Sequence, residues 1–174
     1  YEALAAHGYR EVGQEYLQNV LDTAKQLDAY DSGRIYYYLG EYQKAYLALD
    51  EARDKGGADS YLYLGRAYAA TGDYNYASSV YNNYLSKQGP NAEIYNELGL
   101  CEMAKKEYQN ALAAFQAGKQ IEGNSLMQTL CFNEIVAYEY LEDYQQAEVL
   151  MNAYLQNYPD DQTAIREQQF LSTR

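Results

Sequence analysis

Apolar positions along the chain recur at helical spacing, in paired stripes. Tyr61, Leu64, Gly65 and Tyr68 fall at i, i+3, i+4 and i+7, which is one face of an amphipathic helix. Ala77, Tyr81 and Tyr84 mark a second such face a few residues further on. Helix stops punctuate the chain at Gly56-Gly57, Gly89-Pro90, Gly123-Asn124 and Pro159-Asp160. The predicted unit is a helix, a tight turn and a second helix.

The unit repeats. A turn, a tyrosine and then an alanine three residues on appear in LGEYQKA ending at Ala45, TGDYNYA at Ala77, KKEYQNA at Ala111 and LEDYQQA at Ala147, with a weaker form, HGYREV, ending at Val12. The tyrosines at 9, 42, 74, 108 and 144 lie 33, 32, 34 and 36 residues apart. Two helices approach closely only where the side chains between them are small, so Gly65 and Ala77 are expected beside bulky Tyr81. Such a unit cannot bury its apolar face alone and draws stability from its neighbours. The chain divides into a partial repeat over 1–25, full repeats over 26–57, 58–91, 92–127 and 128–159, and a capping helix over 160–174 with Ala164, Ile165 and Leu171 on one side.

YLYLGRAY followed by GDYNYA, with a tyrosine four residues beyond the alanine, resembles the tetratricopeptide repeat. ELGL at 97–100, AAF at 113–115 and the closing Pro159 are similar to the same family, and the resemblance covers nearly the whole chain. It implies an all-α fold, an α-α superhelix or solenoid of tetratricopeptide-like helix pairs. Two departures stand out. Glu102 occupies the place of Tyr36, Tyr68 and Tyr138, and Ile135 replaces the small residue supplied by Gly33, Gly65 and Gly99, so the last repeat is expected to pack more loosely against its neighbour.

The chain holds 23 tyrosines and no tryptophan. Fourteen occupy repeat positions and are expected in the core: 9, 42, 74, 108 and 144 in the turns, 36, 61, 68, 95 and 138 on first helices, 16, 81, 84 and 154 on second helices. A tyrosine suits a thin two-layer repeat because its ring is buried while its hydroxyl reaches the rim. Of the remaining nine, Tyr30, Tyr37, Tyr38, Tyr63 and Tyr140 lie on first helices, rotated off the core stripe. In similar proteins that face lines a concave groove where peptides or helices dock. The candidate groove is therefore Tyr30, Arg34, Tyr37, Tyr38, Leu62, Tyr63, Arg66, Asn96, Leu100, Phe132, Asn133 and Tyr140. Aromatic residues with arginine are the composition of binding hot spots. Arg34 and Arg66 precede Glu93, Glu97 and Glu139, which favours a segment with an acidic or aromatic patch near the arginines. The plainer alternative is an Arg34–Asp31 surface pair worth only ~0.2–0.5 kcal/mol. Some family members clamp a chaperone's terminal carboxylate with lysines and asparagines; Tyr30, Arg34, Tyr63, Glu93 and Glu97 stand in those places, so that recognition is not expected.

Charge and chemistry narrow the classes further. The 174 residues include 25 acidic and 13 basic side chains, a net charge of -12 that opposes nucleic acid and anionic lipid. No apolar run approaches the ~20 residues of a membrane span. The single histidine, His7, offers no catalytic constellation, and no metal or cofactor motif is present, so no cofactor and no enzyme activity is expected. Cys101 and Cys131 read as free core residues, offset by about six positions on equivalent helices, or ~9 Å, which disfavours a disulfide. The expected function is a scaffold or adaptor that binds a protein or peptide. The alternatives are a self-associating structural element, stacking end to end, and a sensor for a small peptide. The chain opens on tyrosine rather than methionine, so its start reads as trimmed, and both the cytoplasm and a bacterial cell-envelope lipoprotein fit the compartment.

Overall fold

The computed structural model describes residues 1–174 and is all-α. Its helices are α1 (Glu2–Ala6), α2 (Arg10–Thr23), α3 (Ala29–Leu39), α4 (Tyr42–Asp54), α5 (Ser60–Ala70), α6 (Tyr74–Gln88), α7 (Ala92–Ala104), α8 (Tyr108–Lys119), α9 (Met127–Tyr140), α10 (Tyr144–Asn157) and α11 (Gln162–Leu171). The chain forms two compact units, Tyr1–Val80 and Tyr81–Arg174. In the first, α2 packs on α1 and α3, α4 on α3 and α5, and α3 on α5. In the second, α8 packs on α7 and α9, and α10 on α9 and α11. No helix is long and apolar enough to cross a membrane.

One turn geometry joins every pair. The last residue before the second helix's cap lies in the left-handed region: Gly8, Gly40, Gly72, Lys106 and Glu142 have φ of 83°, 77°, 84°, 64° and 62°. The following amide then reaches back five residues, from Glu41 to the Tyr36 carbonyl at 2.9 Å, Asp73 to Tyr68 at 3.0 Å, Glu107 to Glu102 at 2.9 Å and Asp143 to Tyr138 at 3.0 Å. This closes the first helix with its carbonyls satisfied. Glycine holds the conformation without a Cβ clash, whereas Lys106 and Glu142 adopt it at a cost.

The turn also corrects the register of the first pair. Tyr9 donates to the Leu4 carbonyl at 2.8 Å and caps α2, so it corresponds to Glu41 and not to Tyr42. Gly8 aligns with Gly40, buried Gly13 with Ala45, and Leu17 with Leu49. A slip of one residue rotates a helix by about 100°. Tyr9 and Tyr16, expected in the core, are accordingly 60% and 65% exposed.

Close helix approach fixes the rest of the packing. A Cβ on Gly33 would stand 2.6 Å from Leu49 Cγ, and one on Gly99 would stand 2.3 Å from Phe115 Cε1. Leu49 and Phe115 are completely buried, each sixteen residues after its glycine. At the same spacing Ile135 faces the unbranched, adaptable Met151. Ile135 and Met151 are both fully buried in one cluster with Ala147, Tyr154, Ala164 and Leu171. α11 supplies the last two of these residues. Glu102, in a tyrosine's place, is buried with Lys105 Nζ 2.7 Å from its carboxylate.

Replacing Gly40 by alanine should lower unfolding free energy by about 1 kcal/mol, and Lys106→Gly should raise it by about 0.5 kcal/mol, measured by urea denaturation. Equal effects at both positions would contradict the turn argument.

Candidate functional site

In the first unit, α3 and α5 bring six of the predicted groove residues into one aromatic and cationic cluster. α3 starts where Asp28 accepts the Asp31 amide at 2.7 Å, and it ends at Gly40. Within it Tyr30, Arg34, Tyr37 and Tyr38 lie along one side, facing Tyr63 of α5. The Tyr63 ring meets those of Tyr30, Tyr37 and Tyr38 edge-on, with centroids at 6.2, 5.7 and 5.8 Å. Such edge contacts set the positive rim of one ring against the negative face of another. The guanidinium of Arg34 lies 5.2 Å from the Tyr30 centroid and 4.9 Å from that of Tyr63, and Arg66 lies 5.6 Å from Tyr63. Tyr63 was expected at the groove surface; it is 7% exposed and forms the floor beneath the others.

Polar contacts pin the cluster. The Tyr38 and Tyr63 hydroxyls are 2.9 Å apart, and Tyr38 donates to Glu2. Burial, then the hydrogen bonds to Glu2 and Tyr63, push the Tyr38 hydroxyl's pKa upward. Burial also raises that of Tyr30, against the opposing pull of Arg34. Both stay protonated donors. Asp31 is only 3.9 Å from Arg34, and Arg34 Nε is shielded from solvent with no acceptor.

The other predicted residues are placed differently. Leu62 is half-buried on α5. In the second unit, Asn133 donates to Asn96 Oδ1 at 2.9 Å, and Asn96 is itself buried, so this amide pair ties α7 to α9. Leu100 is exposed on α7. Phe132 meets Tyr154 edge-on at 5.8 Å beside a cavity of about 300 Å³ that also takes in Asn133, Gln128 and Asp161. Tyr140 is exposed and stacks on Tyr108 at 5.0 Å.

Some organised side chains escaped sequence reasoning. Tyr46, Tyr68 and Tyr76 form a ladder of rings at successive spacings of 4.2 Å, and the Tyr46 hydroxyl meets Thr71 Oγ1 at 2.7 Å. Sequence could have suggested it only through Tyr46 and Tyr76 being surplus to the repeat. Buried Glu134 accepts from Lys119 and from Gln116, the latter at 2.9 Å. Cys101 is buried, which raises its thiol to about 12 and leaves it unreactive, and Cys131 is half-buried and free. Glu139, half-buried and hydrogen-bonded to Glu167, is pushed up to about 7, chiefly by burial and then by that second carboxylate.

The model of the tetratricopeptide repeat matches residues 30–75 and 64–124, more than half of the chain. Solved structures share its fold. A thermophilic TPR protein of Thermus thermophilus, TTC0263, superposes with a TM-score of 0.75 at 16% identity over 99% of this chain and 95% of that one. MamA of strain AMB-1 gives 0.67 at 21% identity over 92% and 81%. The second TPR domain of human RPAP3, solved in complex with the HSP70 peptide SGPTIEEVD, gives 0.56 at 16% identity over 63% and 90%. No curated protein matches the sequence significantly.

Tyr63→Ala should destabilise the chain by about 3 kcal/mol and Tyr63→Phe by about 1 kcal/mol, read from denaturant unfolding; similar losses would mean that the hydroxyl, not the ring, holds the cluster. Because the Glu139 carboxyl is raised from 4.5 to about 7 on folding, its contribution is complete below about 4.5 and is lost as pH climbs through 7. Stability should therefore decline over that window, and Glu139→Gln should flatten the decline in melting temperature.

Proposed function

The chain belongs to the tetratricopeptide repeat family, and on that premise we propose that it is a protein-interaction module capturing a partner segment on the α3–α5 face. Arg34 is the observation that carries this reading. Its guanidinium is held between the Tyr30 and Tyr63 rings and donates a hydrogen bond to Tyr63, while the side chain stays 36% exposed and Asp31 is at the edge of ion-pair range. A carboxylate from a partner would complete that guanidinium through charge-assisted hydrogen bonds. An aromatic or leucine side chain of the same segment would lie against Tyr30 and Tyr37, which are only half-buried. The rings are already locked by one another and by Tyr38, so little side-chain entropy is lost on binding.

The partner is thus an extended or helical peptide segment in which an acidic residue neighbours a bulky apolar one. The peptide in the RPAP3 complex, SGPTIEEVD, has that character, which supports the chemistry without identifying the partner. Leu62 and Arg66 are proposed as further contact positions on this face; Leu100, Phe132, Asn133 and Tyr140 belong to the second unit and are proposed as contact positions of that unit taken by itself. Nothing in this reading requires bond-making chemistry; His7 is exposed and bonded to the Ala3 carbonyl at 2.8 Å.

Selection of a displayed peptide library on the full chain should enrich sequences with Asp or Glu close to an aromatic residue or leucine. Affinity for a selected peptide should fall at least about tenfold in Arg34→Gln and in Tyr30→Ala, with Arg34→Gln melting within a few degrees of wild type. Selected peptides whose affinity neither substitution moves would overturn the assignment.

A further inference from the structure

At the far end of the second unit, an open cavity of about 400 Å³ lies between α11 and the α9–α10 turn, lined by Glu139, Tyr140, Glu142, Tyr144, Glu167 and Phe170. Its walls alternate carboxylates with aromatic rings, the two side-chain types that attract a cation. A cation already lies there: the Arg174 guanidinium is 4.4 Å from the Phe170 centroid and 5.7 Å from that of Tyr144. Meanwhile Glu139 Oε1 is shielded from solvent with no hydrogen-bond donor. No three His, Cys, Asp or Glu side chains converge to hold a metal ion, so the geometry calls for an organic cation.

We propose that this cavity receives an arginine side chain of a partner polypeptide, stacked on Phe170 and Tyr144 and paired with the Glu139 and Glu167 carboxylates. Arginine is favoured over lysine because a flat guanidinium can stack on a ring while its N–H fork reaches two acceptors. Arg174 occupies the rings as an internal competitor. The chain's net charge of -12 draws basic segments toward it. The cavity shares no residue with the α3–α5 face, so this inference stands or falls separately from the proposed function.

Protonation couples to entry. Glu139 faces Glu167 from α11, with Glu142 in the turn, the hydroxyls of Tyr140 and Tyr144, and Arg174 around the same space. Burial and the neighbouring carboxylate leave Glu139 holding a proton up to about pH 7. An entering guanidinium displaces that proton to solvent, so binding strengthens as pH rises.

The test is an NMR titration of the full chain with N-acetyl-arginine amide, using the neutral citrulline and the lysine analogues as controls, at about pH 6 and about pH 8. The arginine compound should give saturating shifts confined to Tyr140, Tyr144, Phe170 and their neighbours, roughly tenfold tighter at the higher pH, with lysine weaker and citrulline inert. Arg174→Ala should tighten binding several-fold. The Glu139→Gln, Glu167→Gln double variant should weaken it at least about tenfold, and Glu167→Gln alone, a change on the capping helix, gives the same direction should the double variant be unstable. Shifts that spread over the acidic surface without saturating would overturn the proposal. So would equal binding of citrulline, tighter binding of lysine, or affinity unmoved by Arg174→Ala or by the glutamine variants.

Discussion

The contact on which the molecule depends is the close crossing of the two helices in a pair, where a residue without a side chain meets a bulky one sixteen positions later. Gly33 under Leu49 and Gly99 under Phe115 leave no room for even one added carbon. Apolar burial at such crossings is worth about 25 cal/mol per Å², and it is won only when the two surfaces touch. Where glycine gives way to Ile135, the facing residue becomes Met151, whose flexible chain packs in the same buried cluster.

That crossing in turn sets what the first helices can present. Once the second helix occupies one side of α3 and α5, the residues rotated off the core stripe have only each other and solvent to meet. In the first unit these are tyrosines and arginines, and they condense around Tyr63 into an interlocked layer. Arginine stacked on tyrosine keeps its charge while its stem is covered, so the face is both firm and ready to accept a carboxylate. In the second unit the same positions carry amides and isolated apolar residues. The Asn96–Asn133 bond satisfies a buried polar group that would otherwise cost about 1–3 kcal/mol.

Many tyrosines are a solution to thinness. In a two-layer repeat no core position is far from water, and a phenol can bury its ring while its hydroxyl finds a partner at the edge. Tyr154, buried and bonded to Asp161 at 2.6 Å, and Tyr46, stacked on Tyr68 and bonded to Thr71, each use this within their own unit. The Glu139–Glu167 pair differs in kind: burial, and then the neighbouring Glu167 carboxylate, raise the Glu139 carboxyl to about 7, so the contact between α9 and α11 titrates near neutrality.

By itself the sequence determined the beat of the chain: helix pairs, their turns and the small-against-large crossings follow from periodicity over about 34 residues, and the family from the resemblance of the repeated motif. It also marked Tyr30, Arg34, Tyr37 and Tyr38 on α3, and Tyr63 on α5, as rotated off the core stripe of their helices, while their meeting in one groove came only from the family resemblance. What it could not set was register where the signal was weak, and partners on neighbouring helices. Tyr9 went to the wrong position since the left-handed residue, not the tyrosine, anchors the turn. Only the tertiary structure decided that Tyr63 is a buried floor, that Asn96 is committed to Asn133, and that Glu139 meets Glu167. Each joins residues some 25 to 37 positions apart on separate helices, where a rotation of a few tens of degrees changes which side chains touch.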